Sequence, residues 1–118
     1  MKRWVVRFRA VDKKNFDALR DGVKSVETRA ATEKYRKIRP GDTLVVLCGI
    51  EKTEKLVASV DLYPSIEALF AAVPLEQVMP TVKTVEEARK EYYGYRGYRE
   101  EIARYGLVAM KLIPIYGD

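Results

Sequence analysis

Residues 40–48, Pro-Gly-Asp-Thr-Leu-Val-Val-Leu-Cys, combine a turn with a buried strand. Proline presets one backbone dihedral of the turn, and glycine tolerates the other. The apolar run at residues 43–48 has the length of a strand and is typical of a strand inside a core. Cys48 ends this run, and as the only cysteine in the chain it is expected to be a small buried hydrophobic residue.

Two further strands are predicted on either side of this one. Trp4, Val6 and Phe8 alternate with smaller or charged residues, which places three large apolar groups on one face. Residues 55–62 alternate in the same way, and the polar residues 51–54 are predicted to form the hairpin connection that leads into them.

Helices are predicted between and after these strands. Glycines, prolines and capping residues set their expected bounds, and a final strand follows them. The predicted elements are a helix capped by Asp12 and ended by Gly22, helices at 66–72 and 85–93, a turn of helix at 100–104, and a strand at 106–113. This pattern predicts one α+β domain over residues 1–118, a small, partly open β-barrel flanked by helices.

Composition excludes several classes of function. The chain has 118 residues and no histidine, so it has no Ser-His-Asp or Cys-His relay and no histidine-ligated metal. A single cysteine forms neither an internal disulfide nor a cysteine-cluster zinc site. We therefore expect no metal and no cofactor.

Hydropathy gives no indication of a membrane protein. No apolar run approaches the roughly 18 residues of a membrane span. The N-terminus leads into a strand pattern without the apolar block of a signal peptide. We expect a cytoplasmic protein with no membrane partner, and we favour a monomer while the sequence leaves the oligomeric state open.

Positive charge is concentrated in the first third of the chain. The net charge is +5, and residues 1–39 carry 13 Lys/Arg against 5 Asp/Glu. Such asymmetry is typical of a surface that neutralises phosphates, although a solvated face is the alternative. The expected phosphate contacts are the basic residues around Tyr35, namely Lys34, Arg36, Lys37 and Arg39, for which a solvated loop is again the alternative.

One short motif carries the most chemical information: Gly22-x-Lys24-x-x-Glu27-x-Arg29. In an extended segment Glu27 and Arg29 point the same way and can pair, and Lys24 in the preceding turn can converge on them. A partly desolvated lysine could act as a base, or its ammonium could bind a phosphate or a base carbonyl. The alternative is an exposed ion pair with a solvated lysine.

Together with three other segments, this motif resembles the ASCH domain family of the PUA-like superfamily. The other segments are Pro40-Gly41-Asp42 before an apolar strand, Tyr63-Pro64-Ser65, and Tyr105-Gly106-Leu107-Val108-Ala109. The resemblance covers nearly the whole chain. It implies a PUA-like barrel with a cleft beside the motif, and a role with RNA, nucleotides or modified nucleosides.

One branch of ASCH-like proteins hydrolyses acetylcytidine, and the resemblance extends to it only in part. Lys24 and Arg29 match its motif, but Glu27 stands where that branch has its proposed threonine nucleophile. Thr28 is adjacent, yet strand alternation directs it to the other face. Glu76 is the nearest counterpart, by order along the chain, of the branch's further glutamate.

The presence of Glu27 where the hydrolase branch has its proposed threonine nucleophile favours binding over catalysis. Our first hypothesis is a domain that binds RNA, a nucleotide or a modified nucleoside in the motif's cleft. The alternative is a small metal-independent amidohydrolase acting on acylated nucleosides, with Lys24 as base and Glu27 orienting water; a ribonuclease is a weaker fit. A protein-binding adaptor is the third hypothesis.

A tyrosine-arginine run at residues 92–99 is the second candidate feature. Interleaved aromatic and cationic side chains suit single-stranded RNA, because bases stack on the rings while arginine meets the backbone. Tyr92 fits the inner face of its helix and is expected in the core. Tyr95 and Tyr98 are expected to line the ligand cleft.

Overall fold

A computed structural model of the chain describes residues 1–115. Within them the strands are β1 (Arg3–Phe8), β2 (Val26–Ala30), β3 (Thr43–Cys48), β4 (Glu51–Tyr63) and β5 (Leu107–Pro114). The helices are α1 (Lys13–Arg20), α2 (Glu33–Arg36), α3 (Ile66–Ala72), α4 (Leu75–Val78), α5 (Val85–Gly94) and α6 (Tyr98–Tyr105). A single 3₁₀ turn, Ala10–Asp12, precedes α1.

The five strands form one sheet in the order β1-β3-β4-β5-β2. β1 runs parallel to β3, and every other neighbouring pair is antiparallel. The sheet curls into a half-barrel, so β1 and β2 are its two free edges. The predicted α+β fold, a small partly open barrel with helices, is confirmed at this level.

Two hydrophobic clusters lie on opposite faces of the sheet because successive strand residues point to opposite sides. One cluster packs α1 against one face of the sheet through Phe16 and Leu19. The other packs α3 to α6 against the opposite face and includes Ile66, Tyr92 and Ile102. Burial of Tyr92 and of Cys48, which is 5% exposed, agrees with the sequence predictions.

The predicted hairpin connection at residues 51–54 is wrong, because those residues are the first part of β4. Glu51 pairs with Cys48 and Glu54 with Val45 in the β3–β4 register. The turn itself lies at Gly49 and Ile50. Polar side chains are compatible with a strand here because the pairing with β3 is made by the backbone, and Glu54 forms an ion pair with Arg3 at 2.9 Å.

Three local predictions also need correction. Part of the predicted basic loop is helical, as α2. Asp12 makes no side-chain cap bond to α1, because its carboxylate instead accepts from Arg9. The predicted turn of helix at residues 100–104 is the longer α6, and the short α4 was not predicted.

No helix within residues 1–115 is both long enough and apolar enough to span a membrane.

Candidate functional site

The three charged residues of the motif lie beside the free edge of β2. Gly22 follows α1 with a φ of +85°, a left-handed conformation that glycine adopts without steric cost. The chain turns there, and the amide of Lys24 donates to the carbonyl of Ala18 at 3.0 Å. Glu27 and Arg29 are two residues apart in β2 and so share one face. Lys24, Glu27 and Arg29 together form the charged cluster.

The Glu27 carboxylate lies at the centre of the charged cluster. Its Oε1 is 3.3 Å from the Nζ of Lys24 and accepts from the backbone amide of Thr28 at 3.2 Å. Its Oε2 accepts from Nε and Nη2 of Arg29 at 3.0 and 2.8 Å. A carboxylate has about four acceptor positions, so all of them are in use. Glu27 is 4% exposed, which rules out the alternative of an exposed ion pair.

Lys24 is equally enclosed, with 5% of its surface exposed. Its Nζ donates to the carbonyl of Val26 at 2.8 Å and to the carbonyl of Val78 in α4. Its third N–H faces Glu27. Three acceptors around one nitrogen match the three donors of an ammonium, whereas a neutral amine has only two N–H groups.

Burial and pairing compete in setting the pKa values of the charged cluster. Burial lowers the pKa of Lys24 below its usual value, and Glu27 offsets only part of that effect. Burial alone would raise the pKa of Glu27, but Arg29 and Lys24 outweigh it and lower the pKa. Burial would likewise lower the pKa of Arg29, yet the Glu27 carboxylate raises it. Glu27 and Arg29 are therefore both ionised at neutral pH.

A cavity of about 190 Å³ opens beside the charged cluster. It lies between the end of β1 and the edge of β2, with further walls from α1 and from the chain around α5 and α6. Besides the charged cluster, its lining includes Arg7, Phe8, Arg9, Asp12, Asn15, Thr28, Met79, Tyr92, Tyr95 and Tyr98. The buried Asn15 and the charged cluster form its floor, and the exposed Arg7 and Arg9 form its mouth.

Tyr95 and Tyr98 line this cavity, where the sequence prediction places them. The two rings meet edge to face with centroids 5.2 Å apart. The guanidinium of Arg9 lies 4.8 Å from the centroid of Tyr95 and also donates to Asp12 at 2.8 Å. Burial raises the pKa of both tyrosines, so their hydroxyls stay protonated at neutral pH.

Thr28 lies on the face of β2 opposite Glu27 and Arg29, as strand alternation predicts. Its hydroxyl is hydrogen-bonded to the hydroxyl of the buried Tyr92. Thr28 still borders the cavity because β2 is a free edge of the sheet, where the cavity reaches both faces.

The basic residues around Tyr35 lie outside the cavity lining, and most bind the protein's own backbone. Lys34 donates to the carbonyl of Val5 at 2.7 Å. Arg36 donates to Ala31 at 2.7 Å and to Tyr105 at 3.0 Å, and Arg39 donates to Arg36 at 2.9 Å. Lys37 forms an exposed ion pair with Glu33 at 3.2 Å. Each of these four side chains thus has at least one contact within the fold.

Glu76 lies apart from the other candidates. It is exposed on α4 and does not contribute to the cavity lining, although Val78 of the same short helix binds Lys24. Across residues 1–115 there is no group of three or more histidine, cysteine or carboxylate side chains suited to a metal ion.

Sequence reasoning missed several lining residues: Arg7, Phe8, Arg9, Asp12 and Asn15. The alternation in β1 places Arg7 and Arg9 opposite Phe8, but it gives no sign that this strand ends at the cavity. Asn15 is the one polar residue on the buried side of α1 and is 8% exposed. A polar residue among the apolar positions of a short helix was the available signal.

The chain is similar over nearly its whole length to two solved structures. One is the crystal structure of hypothetical protein PH0355, with 29% identity and a TM-score of 0.82 over 98% of this chain and 100% of that one. The other is the solution NMR structure of protein PF0455 from Pyrococcus furiosus, with 27% identity and a TM-score of 0.75 over 98% and 99% of the two chains. No protein-family model and no curated protein matches the chain.

Proposed function

We propose that this protein is a cytoplasmic PUA-like module of the ASCH type that binds a nucleotide, free or within an RNA strand, in the cavity between the two sheet edges. One observation carries the proposal: a buried cationic cluster and a stacked arginine-tyrosine pair line the same cavity. Cations attract phosphate, and flat side chains accept a base on their faces.

The size of the cavity favours one small group over a long segment. Its volume of about 190 Å³ is below the roughly 300–1,000 Å³ of pockets for drug-sized ligands. The aromatic side chains Phe8, Tyr95 and Tyr98 give the cavity apolar walls, and the exposed guanidinium of Arg9 lies over Tyr95. We expect a single base to stack on the outer face of this guanidinium, with any further RNA outside the cavity.

Charge supports an anionic ligand. The lining contains four basic side chains, Arg7, Arg9, Lys24 and Arg29, against the two carboxylates of Asp12 and Glu27. Arg7 makes no side-chain hydrogen bond or ion pair within residues 1–115, so its guanidinium at the mouth can bind a phosphate.

The contacts of Lys24 and Glu27 favour binding over amide hydrolysis. A general base needs a lone pair directed at substrate or water. The three donors of Lys24 meet protein acceptors, and the acceptor positions of Glu27 meet protein donors. The charged cluster is therefore better suited to holding the edge of β2 and positioning Arg29 than to proton transfer.

Titration with a short single-stranded RNA at several salt concentrations tests this function. Each phosphate contact contributes about one unit to the slope of log affinity against log salt, so Arg7→Ala should weaken binding and reduce the slope by about one unit. Lys52→Ala removes the same charge from an exposed residue outside the cavity and should leave the slope unchanged.

Two results would count against the proposal. Equal slopes for wild type and Arg7→Ala would exclude Arg7 as a contact for an RNA phosphate at the cavity mouth. Failure to bind either RNA or free nucleotides, together with RNA-independent capture of one purified protein, would favour the adaptor hypothesis.

A further inference from the structure

We propose that the floor of the cavity is an anion site formed by Arg29 and Asn15, which takes a terminal phosphate while the sugar and base lie nearer the mouth. The inference rests on the proposed function and adds the orientation of the ligand and its chemical class. A terminal phosphate is present on a nucleoside monophosphate and on the end of an RNA strand.

The charged groups at the floor of the cavity do not balance. Arg29 is a cation, and Glu27 is the single carboxylate between it and Lys24. Although burial lowers the pKa of Lys24, the three acceptors around its Nζ match the three donors of an ammonium, so this side chain is also taken as a cation. The charged cluster therefore has one excess positive charge, on side chains that are 5%, 17% and 5% exposed for Lys24, Arg29 and Glu27. A buried charge without a counter-charge is costly, and a bound anion would remove that cost.

Two side chains at the floor, Arg29 and Asn15, have hydrogen-bond donors that the protein does not use. Arg29 uses Nε and Nη2 for Glu27 and Arg7, and its Nη1 has no partner within residues 1–115. The amide of Asn15 accepts from the hydroxyl of Thr81 at 3.0 Å through Oδ1, and its Nδ2 has no partner in the same residues. No buried side-chain nitrogen in that part of the chain lacks a hydrogen bond, so both nitrogens are solvent-accessible, and both residues line the cavity.

The two carboxylates of the lining offer few free acceptor positions to a ligand's donors. Glu27 is surrounded by four donors. Both oxygens of Asp12 accept from Arg9, at 2.8 and 3.3 Å. At the floor, where Glu27 has no free acceptor position and Arg29 and Asn15 have unused donors, a ligand that supplies acceptors fits best. A phosphate does so with negative charge, whereas the edge of a nucleobase presents donors as well.

Calorimetric titration with inorganic phosphate, with the four common nucleosides and with their 5′-monophosphates tests the orientation. We expect at least one monophosphate to bind at least tenfold more tightly than its nucleoside and more tightly than phosphate alone. Asn15→Asp keeps the shape of the side chain and the acceptor for Thr81 but replaces the amide donor with a negative charge. It should weaken phosphate and monophosphate binding at least tenfold.

Gln77→Glu is the matched control, because it makes the same amide-to-carboxylate change at an exposed residue outside this cavity. It should leave all affinities unchanged. If Asn15→Asp does not fold, as judged by circular dichroism, Asn15→Ala removes the same donor without adding charge and should weaken both ligands in the same direction.

The outcomes separate this inference from the proposed function. Nucleosides that bind as tightly as their monophosphates, or monophosphate binding that is insensitive to both Asn15 variants, would overturn the anion site while nucleotide binding stands. Phosphate binding that depends on Asn15, with no added affinity from any base, would support the anion site and overturn the nucleotide function. Absence of binding by phosphate and monophosphates would overturn the anion site, and the RNA titration would then decide the function.

Discussion

Arg29 on β2 joins the opposite free edge of the half-barrel, since its Nη2 donates to the backbone carbonyl of Arg7 on β1 at 3.3 Å. The same guanidinium holds Glu27 and lies 5.3 Å from the ring centroid of Phe8. Lys34 binds the carbonyl of Val5 two residues earlier. The side chains of Arg29 and Lys34 thus bind β1 carbonyls that have no partner strand. These contacts protect an edge of the sheet that would otherwise be open to pairing with other chains.

Arg29→Ala should destabilise the protein by about 3 kcal/mol, because removing one partner of a buried ion pair leaves a charge poorly compensated. Urea unfolding followed by the fluorescence of Trp4, the only tryptophan, measures this change. Lys37→Ala removes an exposed pair and should change the stability by less than about 1 kcal/mol. Equal effects of the two substitutions would mean that the contacts of Arg29 with Glu27 and with β1 do not stabilise the fold.

Asp42 should make stability depend on pH in the acid range. The backbone amide of Lys2, the indole of Trp4 and the amide of Arg39 all donate to its carboxylate and lower its pKa to about 2. Because the folded pKa lies below the unfolded value of about 3.9, the stabilisation is complete above pH 4 and is lost as the pH falls towards 2.

Comparison with Asp42→Asn isolates this contribution. Its urea midpoint should lie below that of wild type at pH 7, and the gap should narrow between pH 4 and pH 2. Glu27, whose pKa is also lowered, adds the same acid sensitivity to both proteins and so cancels in the comparison. A gap that stays constant over this range would show that Asp42 does not change its charge there.

Incubation with acetylcytidine should release no cytidine, even with the protein in large excess. Lys24 and Glu27 lack a free base position, because protein donors and acceptors already surround both groups. Chromatography of the reaction over time checks this expectation. Release of cytidine that is lost in a folded Lys24→Met variant would establish the amidohydrolase hypothesis instead.

Gly106→Ala should be severely destabilising, by more than about 3 kcal/mol, because two costs add. Gly106 has a φ of +77°, and a Cβ there would lie 2.3 Å from the carbonyl oxygen of Tyr63. Gly94→Ala is the control, since a Cβ at that helical position meets nothing within 4 Å. Thermal unfolding should show a large decrease in melting temperature for Gly106→Ala and no decrease for Gly94→Ala. Similar melting temperatures for the two variants would contradict the close contact between Gly106 and Tyr63.

Local patterns were enough to predict most of the secondary structure. The apolar run of β3 and the alternation in β1 depend only on neighbouring residues, so their strand character follows from the sequence. The prediction of a hairpin connection at residues 51–54 was wrong because it used the same local information. These polar residues resemble a loop, and only their pairing with β3 makes them a strand. The short α4 is likewise fixed by tertiary contacts, since Val78 is buried and binds Lys24.

The common face of Glu27 and Arg29 follows from local spacing, because strand geometry repeats every two residues. The sequence also indicated an aromatic contribution from Tyr95 and Tyr98. Long-range packing, by contrast, makes β1 and β2 the two edges of one half-barrel, and it therefore brings Arg7 and Asn15 to the same cavity. These contacts join residues distant along the chain, and the curl of the whole sheet, which no local pattern encodes, brings them together.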